Sequence, residues 1–302
     1  MKRILITGGA GFIAPHIIEE AVTKNWEVLA VDKLEVMKEN KIKNNKVKYL
    51  VKDVRDLTVD ELKSIDYIAH LAFVTNIPNS IKNPIDTTFD NINMTTILLK
   101  KSQDAGVKKI IFSSTASLYG NNPIPWKEGM KADPIEPYSW QKLSCEYLFK
   151  MWHIRYKLKT STLRLYQVYG ENQRNDTALS KFLKSRRENI PITLTETTAQ
   201  STFKTARRDF IYVKDVAKAF LATMESEKTG KGEIINIGTG IMTTMEKIAE
   251  TIGGEITFIP RRNFEVEAHQ ADMSETYNLI NWKHEVEVIQ WLDNFCKKMD
   301  LK

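Results

Sequence analysis

The apolar run Arg3–Thr7 passes without a polar break into Gly8-Gly9-Ala10-Gly11-Phe12-Ile13-Ala14, and a helical pattern over 12–23 follows at once. A buried strand that feeds a glycine turn and then a helix leaves few folds open. The turn has to be tight at Gly8, the backbone has to stay bare at Gly11, and Ala14 has to be small enough for the helix to lie on the sheet. Read as G-x-x-G-x-x-A, the segment is a cradle for a pyrophosphate at a helix N-terminus, with Phe12 and Ile13 supplying backbone beside it. A glycine turn alone only turns the chain. Here the next apolar run, 27–31, ends on Val31-Asp32 about twenty residues further on, where a carboxylate can accept from a ribose 2′-hydroxyl. That acid repels a 2′-phosphate, so NAD is expected in preference to NADP, with Lys33 as the opposing charge next door.

Further apolar runs at 47–51, 67–71 and 109–113 are separated by helical stretches, 91–105 among them. Ile4-Leu5-Ile6 and Lys109-Ile110-Ile111-Phe112 do not alternate with polar residues, as expected of strands covered on both faces. Strands alternating with helices through right-handed crossovers give an α/β fold with a doubly wound parallel (Rossmann) sheet. A loop rich in proline (Pro123, Pro125, Pro134, Pro137) precedes a helical pattern over 138–157 and a buried-strand pattern over 161–165. Beyond Tyr169 the alternation loosens, with polar stretches at 172–177 and 193–206. The expected division is a dinucleotide-binding domain over 1–168 and a smaller C-terminal α/β substrate domain over 169–302. Segment 213–240, with its apolar run 234–237, is expected to return to the first sheet.

Composition removes several classes of function. Lys+Arg 44 against Asp+Glu 38 leaves +6, but the signs are interspersed and no block of like charge forms an arm for nucleic acid. The surplus suits a small anionic substrate. No apolar run approaches the ~18 residues of a membrane span, and the apolar start runs into glycines where a cleavage site would stand. Cys145 and Cys296 are the only cysteines, too few for a disulfide framework or a metal knuckle, which points to the cytoplasm. His16, His70, His153, His269 and His284 form no i, i+4 pair, so no metal is expected.

Tyr138 and Lys142 stand four apart and share a helix face. A nearby ammonium favours the phenolate, so the lysine is expected to bring the phenol's pKa toward working pH. The hydroxyl-rich strand end Ser113-Ser114-Thr115 lies upstream, where a parallel sheet presents its carboxyl-end groups. A hydroxyl, a phenol and a lysine around a dinucleotide suit removal of hydride from a carbinol.

With these residues in place the chain resembles the extended short-chain dehydrogenase/reductases of the NAD-dependent epimerase/dehydratase type, which act mostly on nucleotide sugars. The likeness covers nearly the whole chain: Thr7-Gly8-Gly9-Ala10-Gly11-Phe12-Ile13, Asp53-Val54, His70-Leu71-Ala72, Asn91, Phe112-Ser113-Ser114-Thr115 before Leu118-Tyr119-Gly120, Leu163-Arg164-Leu165-Tyr166-Gln167-Val168-Tyr169-Gly170, Arg208-Asp209-Phe210, Asn236-Ile237-Gly238 and Ala271-Asp272. By that resemblance Thr115, Tyr138 and Lys142 match the catalytic trio. Tyr138 would be the base, Thr115 the partner of the reacting oxygen, and Lys142 the group that tunes Tyr138 and holds the nicotinamide ribose. Asp53 and Val54 would lie beside adenine, Leu71, Ala72 and Asn91 along the cofactor. Gln167, Arg208 and Arg262 would contact the substrate, the arginines gripping its diphosphate.

Dehydratases and decarboxylases of that family carry an acid after the threonine; this chain has Ala116-Ser117. The resemblance then implies an NAD-dependent epimerase, C4 of a UDP-sugar being the expected position, with oxidation and reduction at one carbon. Two alternatives stay open: a one-way ketoreductase or dehydrogenase using the same trio, and a dinucleotide-binding scaffold without activity. Ala14-Pro15, Phe73, Met94, Gln167 and Asn281-Trp282 depart from the family's pattern. The family also implies a homodimer paired through helices near 93–105 and 138–156; Leu148, Met151, Trp152 and Tyr156 follow helical spacing there, a stripe that more often packs in a core than against a partner.

Overall fold

The computed structural model describes residues 1–36, 41–261 and 266–301. Seven strands form the main sheet, in the order β3 (Val47–Val51), β2 (Glu27–Asp32), β1 (Arg3–Thr7), β4 (Tyr67–His70), β5 (Lys109–Thr115), β6 (Thr160–Leu165) and β10 (Lys231–Ile237), every adjacent pair parallel. The chain moves outward from β1 to β3 and then crosses back to β4 on the other side of β1. The crevice at this switch, beyond the carboxyl ends of β1 and β4, is where an open α/β sheet takes its ligand.

Helices cover both faces. On one face α1 (Ala14–Thr23) and α7 (Val213–Glu225) bury Ile17, Ile18, Val216 and Phe220 against Ile4, Ile6 and Ile111. On the other, α4 (Pro84–Ala105) and α5 (Pro137–Tyr156) bury Leu98, Leu99, Cys145 and Phe149 against Leu5, Ile110 and Phe112, with the short α2 (Val59–Leu62) and α3 (Ile77–Lys82) alongside. Successive strand residues thus point to opposite layers, and both layers are apolar, which removes the alternation from the sequence.

Helix ends follow local chemistry. Helix α4 starts at Pro84, seven residues before the expected start, because a proline costs nothing in the first turn. It ends at Gly106, whose φ of +74° lets its N–H bond back to Gln103. Helix α5 has Pro137 at its start and the Glu136 carboxylate accepting from Ser139 N.

The remaining elements are β7 (Gln167–Tyr169), α6 (Ala178–Arg187), β8 (Ile192–Thr195), β9 (Arg207–Tyr212), β11 (Met242–Thr244), α8 (Met245–Ile252), β12 (Ile256–Ile259), α9 (Ser274–Ile280) and α10 (Val288–Lys298). Strands β11, β9 and β7 form one small sheet, β12 and β8 another. A separate apolar cluster of Phe182, Leu194, Phe210, Ile248, Trp291 and Leu292 holds this part together. Asp209 on β9 ties it to the large sheet. Its buried carboxylate accepts from Thr239 N, Thr239 Oγ1, Gly240 N and Ala271 N at 2.7–3.1 Å. Asp209→Ala strands three backbone N–H groups in a dry interior, at about 1–3 kcal/mol each. The expected loss is therefore at least about 3 kcal/mol in urea unfolding, and an unchanged midpoint would refute this role.

Candidate functional site

The strand ends and the smaller part enclose a cleft of about 730 Å³. Gly8, Gly11, Phe12 and Ile13 line its floor. Gly8 has φ of +76°, and a Cβ there would come within 2.8 Å of Ala72 N, so only glycine lets the turn after β1 touch the segment after β4. The first turn of α1 has no side-chain cap at Ile13, so no side chain occupies the helix end where an anion would sit. Asp32 and Lys33 line one end, with Asp32 accepting from Ala10 N and Leu34 N at 3.0 Å each. Asp53, Val54 and Arg55 stand beside them. Leu71 and Ala72 follow the wall from β4, and Asn91 on α4 fixes the next residue, its Oδ1 accepting from Val74 N at 2.7 Å and its Nδ2 donating to Gln141. A bare turn, an uncapped helix end and an acid at the second strand end fit a dinucleotide.

Thr115 ends β5, and Tyr138 and Lys142 face it from α5; all three line the cleft. Tyr138 faces Thr115, and Thr115 Oγ1 accepts from Ser117 N at 3.2 Å. Lys142 Nζ donates to the Ser113 carbonyl at 2.6 Å and lies 3.7 Å from the Phe73 ring centre. Its expected effect on the phenol is corrected here. Burial pushes the Tyr138 phenol up to about 12, with Thr115 and the Arg174 charge pulling the other way and Glu136 adding to the rise. Burial likewise pushes Lys142 down to about 7, against Cys145 and Glu146. The lysine's donor goes to the Ser113 carbonyl, and the ammonium lies 5.9 Å from the phenol ring centre.

Gln167 lines the substrate side of the cleft. Arg208 is not among the lining residues; its Nη1 donates to the carbonyls of Arg207 and Glu267 at 2.9 and 3.2 Å. Arg262 falls outside the described residues. The cations that do line this side, Arg174 and Lys181, were missed from sequence. Arg174 bonds Thr75 Oγ1 at 2.6 Å and Asp176 Oδ1 at 3.0 Å, linking the loops after β4 and β7. Its only signal was a lone arginine in the polar stretch 172–177. Among the described residues no group of His, Cys, Asp and Glu could hold a metal, and no helix is long and apolar enough to cross a membrane.

Sheet, turn and cleft define an NAD-binding protein of the short-chain dehydrogenase/reductase class. The family model described as the NAD dependent epimerase/dehydratase family matches residues 4–238. The chain is 31% identical to a putative UDP-glucose 4-epimerase of Methanocaldococcus jannaschii, over 96% of this chain and 98% of that one. It is 30% identical to a UDP-glucuronate 4-epimerase of Thermodesulfobacterium geofontis, over 97% and 94%. A solved UDP-N-acetylglucosamine 4-epimerase from Methanobrevibacter ruminantium, in complex with UDP-N-acetylmuramic acid, superposes with a TM-score of 0.89 at 28% identity, covering 99% of this chain and 98% of that one. The chain belongs to the NAD-dependent epimerase/dehydratase family and is an NAD-dependent epimerase of the extended short-chain dehydrogenase/reductase class.

Lys142 gives a test of the buried site without substrate. Its ammonium titrates near 7 in the fold and near 10.5 ordinarily, so the unfolded chain holds the extra proton between these values and the fold gains stability as pH rises through that window. Lys142→Met is expected to raise the thermal midpoint of the cofactor-free protein by a few degrees at pH 6.5 and by less at pH 9.5. An equal difference at both pH values would refute the buried charge.

Proposed function

We propose that the chain interconverts UDP-sugars epimeric at C4, with residues 1–168 and 213–240 as the cofactor half and the rest of 169–302 as the substrate half. The observation that carries this reading is the Thr115–Tyr138 pair facing the cleft with Ala116-Ser117 after it and no carboxylate in the elimination position. Glu136, whose charge bears on Tyr138, caps α5 through Ser139 N and is not part of the cleft wall. The curated UDP-sugar 4-epimerases similar over nearly the full chain support the same reaction.

Gly8, Gly11, Phe12 and Ile13 would hold the pyrophosphate, Asp32 the adenosine ribose, Asp53 and Val54 the adenine, and Leu71, Ala72 and Asn91 the wall leading to the nicotinamide. When bound, NAD supplies a reversible hydride acceptor whose oxidised ring is cationic and favours a phenolate nearby. Tyr138 takes the C4-hydroxyl proton and later returns it; Thr115 holds the reacting oxygen; Lys142 holds the nicotinamide ribose. Gln167 contacts the substrate phosphates, for which Arg174 and Lys181 are the cations the cleft wall provides. Reduced Cys145 and Cys296, both buried, suit the cytoplasm.

Incubation with a panel of UDP-sugars and catalytic NAD is expected to give a new epimer without net NADH, and Tyr138→Phe to lower kcat at least about 100-fold. Stoichiometric NADH consumption would establish a ketoreductase instead. A Tyr138→Phe protein with full turnover would remove the phenol from the chemistry.

We also propose a homodimer through α4 and α5. The stripe in helical spacing divides: Trp152 is buried and Leu148 packs on the core, as a core face would, while Met151 and Tyr156 are exposed. Exposed with them are Ile85 and Phe89 on α4, with Ile81 before them, and Trp140, Tyr147 and Ile154 on α5. Two adjacent helices with exposed apolar stripes suit a four-helix contact with a second copy. Phe89→Asp with Tyr147→Asp is expected to give a folded monomer by light scattering; a dimer unaffected by both charges would place the interface elsewhere.

A further inference from the structure

Three side chains one turn apart on α5 each meet the end of β5. Tyr138 faces Thr115, Lys142 donates to the Ser113 carbonyl at 2.6 Å, and Glu146 accepts from Ser114 Oγ at 2.6 Å. The third contact belongs to none of the cofactor or substrate roles above. Glu146 also takes both arms of Arg164, Nε to Oε1 at 3.0 Å and Nη2 to Oε2 at 2.7 Å, with the two side chains 3% and 2% exposed. Arg164 sits on β6 directly opposite Ser114, and its guanidinium lies 4.6 Å from the Tyr119 ring centre. A buried ion pair of this kind adds little to stability over well-packed apolar residues of the same size, because desolvation cancels most of the attraction.

We propose that Glu146, anchored by Arg164, is a positioning residue for Lys142: it fixes the turn of α5 that carries the lysine and sets an anion one turn from the ammonium at the cleft. The proposal rests on the reading of Lys142 as the group that holds the cofactor's ribose. The charged and titratable neighbours of Lys142 are few. On its own helix these are Tyr138, Cys145 and Glu146; from β4 comes His70, and from β6 Arg164, beyond Glu146. Burial holds the His70 imidazole down to about 3 and pushes the Cys145 thiol up to about 11, so both are neutral near pH 7. The rings of Phe73 and Phe112 cover the ammonium at 3.7 and 4.7 Å. Glu146 is then the anion that opposes the burial of Lys142.

The test is the pH dependence of NAD affinity, read by titration of the protein's fluorescence between pH 5.5 and 9.5, in the wild type, Lys142→Met, and the pair Glu146→Gln with Arg164→Met. The pair removes both buried charges together and so avoids leaving one unmatched. In the wild type, affinity is expected to fall as pH rises through the titration of Lys142, and in Lys142→Met this fall is expected to vanish. In the paired variant the fall is expected about 0.5–1 pH unit lower, since an anion beside the lysine is gone. If the paired variant does not fold, Glu146→Gln alone, which keeps an acceptor for Ser114 and Arg164 but leaves the arginine's charge unmatched, is expected to move the fall in the same direction and at least as far. A folded variant with the wild-type midpoint overturns the positioning role. Identical profiles in wild type and Lys142→Met overturn instead the reading of Lys142 on which it rests.

Discussion

The contact on which the cleft depends is the one between helix α5 and the carboxyl end of strand β5. A helix brings side chains to one face every four residues, and a strand end offers consecutive residues, so the two can be bonded at several heights at once. Tyr138, Lys142 and Glu146 use three such heights against Thr115, the Ser113 carbonyl and Ser114. Sliding α5 by a single residue would break all three together. The phenol and the ammonium are therefore held at fixed height over the crevice by contacts with the same strand that forms its wall.

This arrangement works against stability. The phenol is pushed up and the ammonium down by desolvation, the ammonium under the rings of Phe73 and Phe112 and the phenol edge-on to Phe73. A core chosen only for stability would place apolar side chains there. Local disagreement between burial and chemistry is what a reactive site looks like when the rest of the fold is consistent. The rest is consistent here: both faces of the sheet are apolar, α4 and α5 begin on proline, and the smaller part is tied back through the buried carboxylates of Asp209 and Asp215.

Much of this was legible in sequence because it depends on local rules. The glycine turn, the acid at the end of β2 and the unalternating strands follow from neighbours in the chain, and the residues read from them line one cleft. What was not legible depends on partners distant in sequence or on solvent. Arg164 reads as one polar residue within an apolar strand, and only its register opposite Ser114 shows that it meets Glu146. The four-residue spacing of Tyr138 and Lys142 was visible, but the direction of the phenol's shift was not, since burial outweighs the lysine. Arg208 belongs to a recognisable motif, yet its guanidinium is engaged with the carbonyls of Arg207 and Glu267. The stripe at Leu148, Met151, Trp152 and Tyr156 divides between the core and the surface, because periodicity does not say which side of a helix meets the sheet.

With the adenosine placed beside Asp32 as proposed, the charges there give the preference for NAD a structural reason beyond the acid itself. Asp32 uses one lone pair on each oxygen for Ala10 N and Leu34 N and keeps the others for hydroxyl donors. Arg55 lines the same end and could in principle attract a 2′-phosphate, but its guanidinium is held by Asp53 at 2.7 Å and Asp90 at 3.0 Å. A phosphate placed there would meet the Asp32 carboxylate and an arginine already neutralised twice. A bare ribose meets free acceptor lone pairs. On that placement the two carboxylates that restrain Arg55 add to the effect of Asp32 on the cofactor choice, and they do so by removing an attraction instead of supplying a repulsion.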